Sequence, residues 1–499
     1  MENEVAGTDK VKKGLKNPYI LGLILILVLG FLVRIYFFNL TDGQALWWDE
    51  AEYGASAKRF LGIVDFNLNN ERPFLFPALI AGLFFLDISE YWVKFLLGVL
   101  PSTFLIYVVY LLGREMYNQK IGVIAAFLSA VSWTFLFWSN RLQPDFISMC
   151  FQVLAVLFMW RYWKQGSRRA IVVSAIFASL GFNFKVSGLL VPLIFFVFMI
   201  IRDKIGMLKN KDYWLFALVF ALILIPQGIY SHFIFGNSLA LFTDTGYADE
   251  FLEGKPIGWY VLNFAYDLSE NVLFILFLIG AILALKFSIY FDVIWKDKQK
   301  ALDAGMFSIL TFIIVALFYI FYIRGAEDRW VFLWLPFMFF MAGEALELIY
   351  NEVKKYSKPL GIIVILGLLL FIGYSQFNHA SSVIHGKQSS YSQVKDSGLW
   401  IKANSDVDDM VITQSQTQIA YYAERSIDHW SHFNGPEEFS EYVNNEKPKF
   451  FTLAVFESHP PWVQEWLQSN QDKLEVAHAL FEDPAKQEPV FIVYKLKEQ

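Results

Sequence analysis

The apolar residues of this chain are gathered into blocks of about twenty, the length a helix needs to cross a bilayer core. Residues 18–38 and 359–377 are two such blocks. Threading the rest gives segments at 19–38, 91–112, 121–139, 146–160, 170–184, 188–201, 213–230, 272–290, 306–323, 330–350 and 359–377, about eleven spans of a polytopic α-helical membrane protein. One further apolar piece, 74–88, is short and interrupted by Pro77. It reads as a re-entrant or juxtamembrane helix in the first outer loop, because proline breaks the helix ladder and the remaining length is too small to cross.

Composition agrees with that frame. The chain is 56% hydrophobic, against about 45–50% in soluble domains, and its 51 Phe and 16 Trp suit lipid-facing and interfacial surfaces. The net charge of -6 carries no nucleic-acid signature, and no nucleic-acid partner is expected. The single cysteine, Cys150, cannot form an internal disulfide and reads as a small buried hydrophobe. The polar lead, residues 1–16, precedes an apolar run too long for a cleavable signal, so residues 1–18 are expected to be a cytoplasmic tail holding Lys10, Lys12, Lys13 and Lys16. With this parity the clusters Arg161/Lys164/Arg168/Arg169, Arg202/Lys204/Lys209/Lys211, Lys296/Lys298/Lys300 and Lys354/Lys355/Lys358 all fall inside, as the positive-inside rule requires. Counting 74–88 as a span would place the Arg161–Arg169 cluster outside and set Asp49 and Asp145 on opposite faces.

The multi-span domain is expected to occupy 19–377. Beyond it the composition turns polar, and short β-rich runs at 410–413, 450–455 and 490–496 alternate with helical stretches such as 461–474. Residues 378–499 therefore read as a small extracytoplasmic α/β domain of about 120 residues.

Four polar clusters lie on the expected outer side. The first is Trp47-Trp48-Asp49-Glu50-Ala51-Glu52-Tyr53. Its aromatic rings set the depth of the loop at the headgroup layer, and its adjacent carboxylates repel and lose solvation, which suits one of them to act as a general base. The others are Asn70-Glu71-Arg72-Pro73, the run Asn140-Arg141-Leu142-Gln143-Pro144-Asp145, and Lys185 in a tight turn. An ionisable group at such a place is costly unless it is paired or used. Arg324, Glu327, Asp328 and Arg329 form a further outer turn in which only Arg329, at a helix entrance, is placed for an anion. His429 and His432 are expected to be surface histidines. The chain has no phosphate-binding glycine loop and no nucleophile elbow, so an outward site must use a substrate activated elsewhere.

These motifs in this order, Trp48-Asp49-Glu50, Glu71-Arg72-Pro73, Asn140-Arg141 with Pro144-Asp145, Phe184-Lys185 and Asp328-Arg329-Trp330, resemble the GT-C membrane glycosyltransferases. The resemblance is to the group holding the protein O-mannosyltransferases and the lipid A aminoarabinose transferases, and it covers residues 19 to about 377. It implies a GT-C fold and a donor sugar carried on dolichyl or undecaprenyl phosphate. It also implies Asp49 as catalytic aspartate with Glu50 as its partner, Glu71 as an acid able to hold a divalent metal, and Arg72 as a contact to the donor phosphate. Asp145 stands where the family has its second acid, and Lys185 where it has the lysine that pairs with the first aspartate. One position departs. Where the aminoarabinose enzymes have an arginine shortly after the acidic pair, this chain has Glu52, and Arg141 is the alternative partner for Asp145.

The chemistry follows. A phosphodiester-linked sugar has a good leaving group, so the reaction needs a base for the acceptor hydroxyl and positive charge for the departing phosphate. Asp49 would supply the first, and Arg72, Lys185 or Arg329 the second, with Tyr53 and Arg141 as further substrate contacts. Displacement would invert the anomeric carbon. The loop 231–271 is the expected lid for a protein, lipid or glycan acceptor. No cofactor is required beyond the metal option at Glu71. The competing class is a transporter or flippase of lipid-linked sugars, which would place ionisable groups along a path across the membrane; here they gather at one face.

Overall fold

The computed structural model describes residues 17–243, 258–289, 303–323, 327–481 and 488–497. The lysines of the N-terminal tail, the basic run 296–300, Arg324 and the centre of the 231–271 loop lie outside the described residues. The chain divides into two compact units: residues 1–40, 70–75 and 94–385 form the first, and residues 41–69, 76–93 and 386–499 the second. This partition departs from a single boundary at 378, because the last apolar helix runs on to Lys387 and the first loop folds with the C-terminal residues.

The first unit is helical. Its elements are α1 (Pro18–Leu40), α4 (Glu90–Met116), α5 (Gln119–Val131) with α6 (Trp133–Trp138), α7 (Asp145–Gln165), α8 (Arg168–Phe184), α9 (Val186–Lys209), α10 (Lys211–Phe235), α11 (Asn271–Ile289), α12 (Ala304–Ile323), α13 (Trp334–Val353) and α14 (Lys358–Lys387). Among the described residues, seven of the helices are long and apolar enough to cross a membrane unaided. Each expected span coincides with a helix. Residues 121–139, however, are two helices, broken at Ser132 (ψ 122), where Gln376 of α14 accepts the freed Trp133 N–H at 3.0 Å. Exposed apolar side chains recur at helical spacing on α10 (Leu218, Leu222, Ile225, Ile229) and α14 (Ile363, Leu366, Leu370, Tyr374). A soluble surface does not carry such stripes; lipid solvates them. The protein is a multi-pass membrane protein.

A buried charge inside an apolar block holds this unit together. Arg34 of α1 is fully buried. Its Nε donates to Ser102 Oγ of α4 at 3.0 Å, Nη1 to Gly30 and Ala130 carbonyls at 3.0 and 3.1 Å, and Nη2 to the Ser129 carbonyl at 3.2 Å. A buried cation is tolerable only when its donors are satisfied, and these bonds tie α1, α4 and α5 into one bundle.

The second unit holds α2 (Trp48–Phe60), α3 (Leu75–Phe85, almost all of it), α15 (Ser392–Ala403), α16 (Gln416–Ala423), α17 (Pro436–Glu446), α18 (Trp462–Ser469) and five strands. With eleven residues, α3 is about 16 Å long, too short to cross, as expected for the 74–88 piece. The strands β1 (Met410–Thr413), β2 (Ser426–His429), β3 (Phe450–Ala454), β4 (Leu474–Leu480) and β5 (Phe491–Leu496) form a sheet in the order β2-β1-β3-β5-β4. β1 runs parallel to β2 and β3, and β5 antiparallel to β3 and β4. Helices cover both faces. Ile419 and Ala423 of α16 pack with Val411 and Phe450, while Phe439 of α17 and Trp466 of α18 pack with Ile412 and Phe451.

Candidate active site

In the first unit the polar residues are delivered by a helical hairpin. α7 and α8 are joined by Gly166, whose φ of 67 suits glycine, and Ser167. Ser148 Oγ donates to the Gly181 carbonyl and Ser174 Oγ to the Ala155 carbonyl, both at 2.7 Å. The short turn sets the first residue of α7 and the residue after α8 at one end of the hairpin, and these are Asp145 and Lys185. Lys185 Nζ donates to Asp145 Oδ1, and Asp145 sits in the first turn of α7, where the helix dipole favours an anion. Lys185 is therefore the partner of the second acid, where the resemblance assigned it to the first aspartate. The pairing follows from hairpin geometry that residue order alone does not display. The turn after Lys185 is pressed on α8: a Cβ at Gly188 would lie 2.5 Å from the Gly181 carbonyl carbon and the Phe182 nitrogen.

Asp145, Lys185 and Arg329 line one cavity with Gln152, Ser187 and Trp330. Its space for water-sized guests is about 10 Å³, no more than a single molecule. The second oxygen of Asp145 is buried without a hydrogen-bond partner among the described residues. Arg329 Nε donates to Glu327 Oε2 at 2.8 Å, and its guanidinium lies 5.0 Å from the Trp138 ring centre. The Trp138 indole N–H donates to Asp328 Oδ2 at 2.8 Å, and burial raises the Asp328 carboxyl above the ordinary range. Asp328 thus ties α6 to the entrance of α13.

Arg141 is buried, 3% exposed, with its guanidinium 5.0 Å from the Phe137 ring centre. The loop it belongs to rests on a π-turn of α4, where a Cβ at Gly98 would lie 2.6 Å from the Ser139 carbonyl oxygen and 3.0 Å from that of Arg141. Glu71 and Arg72 are half-buried. Their segment is fixed on α10, where Gln227 accepts the Phe74 N–H at 3.0 Å and Tyr230 stacks on Phe74 with ring centres 5.0 Å apart.

In the second unit Asp49 lies half-buried in the first turn of α2. Glu50, 1% exposed, accepts the Trp47 N–H at 2.8 Å, half of a capping box. That bond makes Glu50 a positioning residue for the helix start. Tyr53 meets Phe76 edge-on at 5.0 Å. The acidic helix is clamped by α16. The Tyr422 hydroxyl accepts the Leu46 N–H at 2.7 Å, while Gln418 Nε2 donates to the Leu46 carbonyl at 2.9 Å. Lys58 Nζ bonds Glu424 and the Tyr421 carbonyl, each at 2.7 Å, and Tyr421 donates to Glu90 at 3.0 Å. Desolvation lowers the Lys58 ammonium, and it also pushes Glu424 upward, but hydrogen bonds from Lys402 and Lys58 outweigh this and hold Glu424 below its ordinary value.

No group of three or more His, Cys, Asp or Glu able to hold a metal occurs among the described residues. His432 bonds Asp428 at 2.5 Å.

This architecture is the GT-C fold with a small C-terminal sheet domain. Residues 71–230 match the family model described as dolichyl-phosphate-mannose-protein mannosyltransferase. Among solved structures, ArnT from Cupriavidus metallidurans bound to undecaprenyl phosphate is similar at a TM-score of 0.65 and 12% identity, over 94% of this chain and 97% of that one. The apo oligosaccharyltransferase of Archaeoglobus fulgidus is similar at 0.61 and 16% identity, over 88% and 70%. The arabinofuranosyltransferase AftD from Mycobacteria is similar at 0.59 and 13%, over 96% and 40%. No curated protein matches the chain. The resemblance read from the motifs is borne out, and the family match and the fold together support a membrane glycosyltransferase that uses a polyprenyl-phosphate-linked sugar.

Proposed function

We propose that the protein transfers a sugar from a polyprenyl-phosphate donor to an acceptor hydroxyl on the outer face of the membrane, with the N-terminus cytoplasmic and inversion at the anomeric carbon. The observation that carries this reading is the Asp145–Lys185–Arg329 cavity, two cations and a buried carboxylate convergent on one point of a GT-C bundle. In the transfer, Asp49 takes the acceptor proton while the acceptor oxygen bonds the anomeric carbon. The carbon–oxygen bond to phosphate breaks, and its electron pair leaves on the polyprenyl phosphate. Lys185, Arg329 and Arg72 are the groups assigned to that phosphate, because charge-assisted bonds to developing negative charge favour departure. The near-absence of free space beside Lys185 means that an arriving phosphate must compete with Asp145 for the ammonium. That competition gives Asp145 a role: it holds the lysine oriented until the donor binds.

The test is release of polyprenyl phosphate from a panel of polyprenyl-phosphate sugars by the purified protein. Asp49→Asn should abolish release, at least the 10²–10⁴-fold that a general base contributes, with insertion and melting unchanged. Near-normal turnover in that variant would remove the base from the mechanism.

A further inference from the structure

The second unit carries another set of polar groups, which the transfer chemistry leaves unused. From β1 the chain crosses through α16 on one face of the sheet to β2, then returns through α17 on the other face to β3, on the far side of β1. The connections therefore diverge between β1 and β3. In open α/β sheets such a switch point, outside the carboxyl ends of the strands, is where ligands bind.

The residues at that point are polar and include no Lys or Arg. β1 ends in the run Thr413-Gln414-Ser415-Gln416-Thr417-Gln418, and Glu457 and His459 follow β3. Ser415 Oγ donates to Glu457, joining the two loops, and the Thr413 and Thr452 hydroxyls bond at 2.7 Å. Gln414 Oε1, Thr417 Oγ1 and His459 Nδ1 are buried with no hydrogen-bond partner among the described residues, and Thr417 is only 5% exposed. Buried polar atoms are nearly always bonded, so an unsatisfied group of acceptors and hydroxyls at a switch point marks a place built for a partner. Phe456, 48% exposed, stands beside Tyr391 with ring centres 6.3 Å apart and adds an apolar face.

Charge narrows the class of ligand. Residues 413–418 and 454–461 contain no Lys or Arg; Lys449 sits at the opposite edge, before β3, paired with Asp409 at 2.6 Å. Burial depresses His429, at the end of β2, to about 4, so it is neutral near pH 7. Among the described residues of these two runs no cation balances an anion, whereas hydroxyls and amides that both donate and accept, next to an aromatic face, match a neutral polyol. We propose that the carboxyl edge of β1 and β3 binds a neutral saccharide. Its service as a seat for the glycan of acceptor or product rests on the transferase reading; saccharide binding itself does not.

Titration calorimetry of the full-length protein in detergent tests this with mannose, glucose, galactose and N-acetylglucosamine as probes, and inorganic phosphate as the anionic control. Saturable binding of at least one sugar is expected, with phosphate silent. Thr417→Val, nearly isosteric, and Glu457→Gln should each weaken binding at least tenfold with a cooperative melt retained, while Asp49→Asn binds as the parent does. The proposal is overturned by no saturable sugar binding, by preference for phosphate, by indifference to both variants, or by loss of binding in Asp49→Asn. Sugar binding that survives while Asp49→Asn still transfers would instead sink only the mechanism above.

Discussion

Lys185→Met isolates the ion pair at the hairpin end. The Asp145 side chain is 3% exposed and that of Lys185 21%, so removing the lysine leaves a carboxylate with little water to replace its partner. Breaking a buried pair in this way costs about 3–5 kcal/mol. The α7 N-terminus returns about 0.3–1 kcal/mol to the orphaned anion, which sets the expected loss at about 3 kcal/mol, a factor of roughly 100 in the unfolding equilibrium. Adding Asp145→Asn removes the uncompensated charge and should restore most of the stability. It should not restore transfer, because the cation assigned to the leaving phosphate is still missing. Thermal unfolding in detergent measures the first quantity, and polyprenyl-phosphate release the second. A single variant as stable as the parent would refute the buried-pair argument, and a double variant that transfers normally would refute the role of Lys185 with the phosphate.

Tyr422→Phe strips the hydroxyl that accepts the Leu46 N–H, at about 1–3 kcal/mol for a buried donor left unsatisfied; hydrogen exchange should rise in residues 44–60, and kcat should fall with little change in KM. Gly188→Ala forces a Cβ to within 2.5 Å of the α8 backbone, so the turn carrying Lys185 must shift, at about 1–3 kcal/mol, and transfer should drop by more than tenfold while the Gly166→Ala control is read for stability alone. Burial lifts the Glu457 carboxyl from 4.5 to about 7. Folded chains then keep a proton that unfolded chains have lost, so its contribution is whole below pH 4.5 and disappears as pH rises through 7. Glu457→Gln should accordingly narrow the difference in melting temperature between pH 5 and pH 8, and an unchanged difference would exclude Glu457 as its source.

The span-forming helices were legible because bilayer thickness imposes one length on every apolar block, and the short 74–88 helix because Pro77 and its length both argue against crossing. The sheet was less so. β1, β3 and β5 carry runs of β-branched and aromatic residues, but β2, Ser426–His429, does not, and β4 begins inside the expected helix 461–474, which ends at Ser469. In the site, the residue types were legible and the pairings were not. Lys185 meets Asp145 across forty positions of sequence because a two-residue turn folds α7 back on α8. Asp328 passed for a loop acid because its partner, the Trp138 indole, lies 190 residues earlier.

The acidic motif itself changes meaning for the same reason. As sequence, Asp49 and Glu50 are interchangeable acids next to one another, and either could be the base. In the fold Glu50 is buried and committed to the Trp47 N–H, while Asp49 one position earlier is half-exposed in the same helical turn. Helical geometry rotates neighbours by about 100°, so a capping carboxylate at one position points its neighbour in a different direction. The loop that carries them is in turn fixed by Gln418 and Tyr422, more than 370 residues on. A C-terminal domain that grips the residue three places before the proposed base sets where that base stands, so substitutions in α16 should alter turnover without touching any group that meets the sugar.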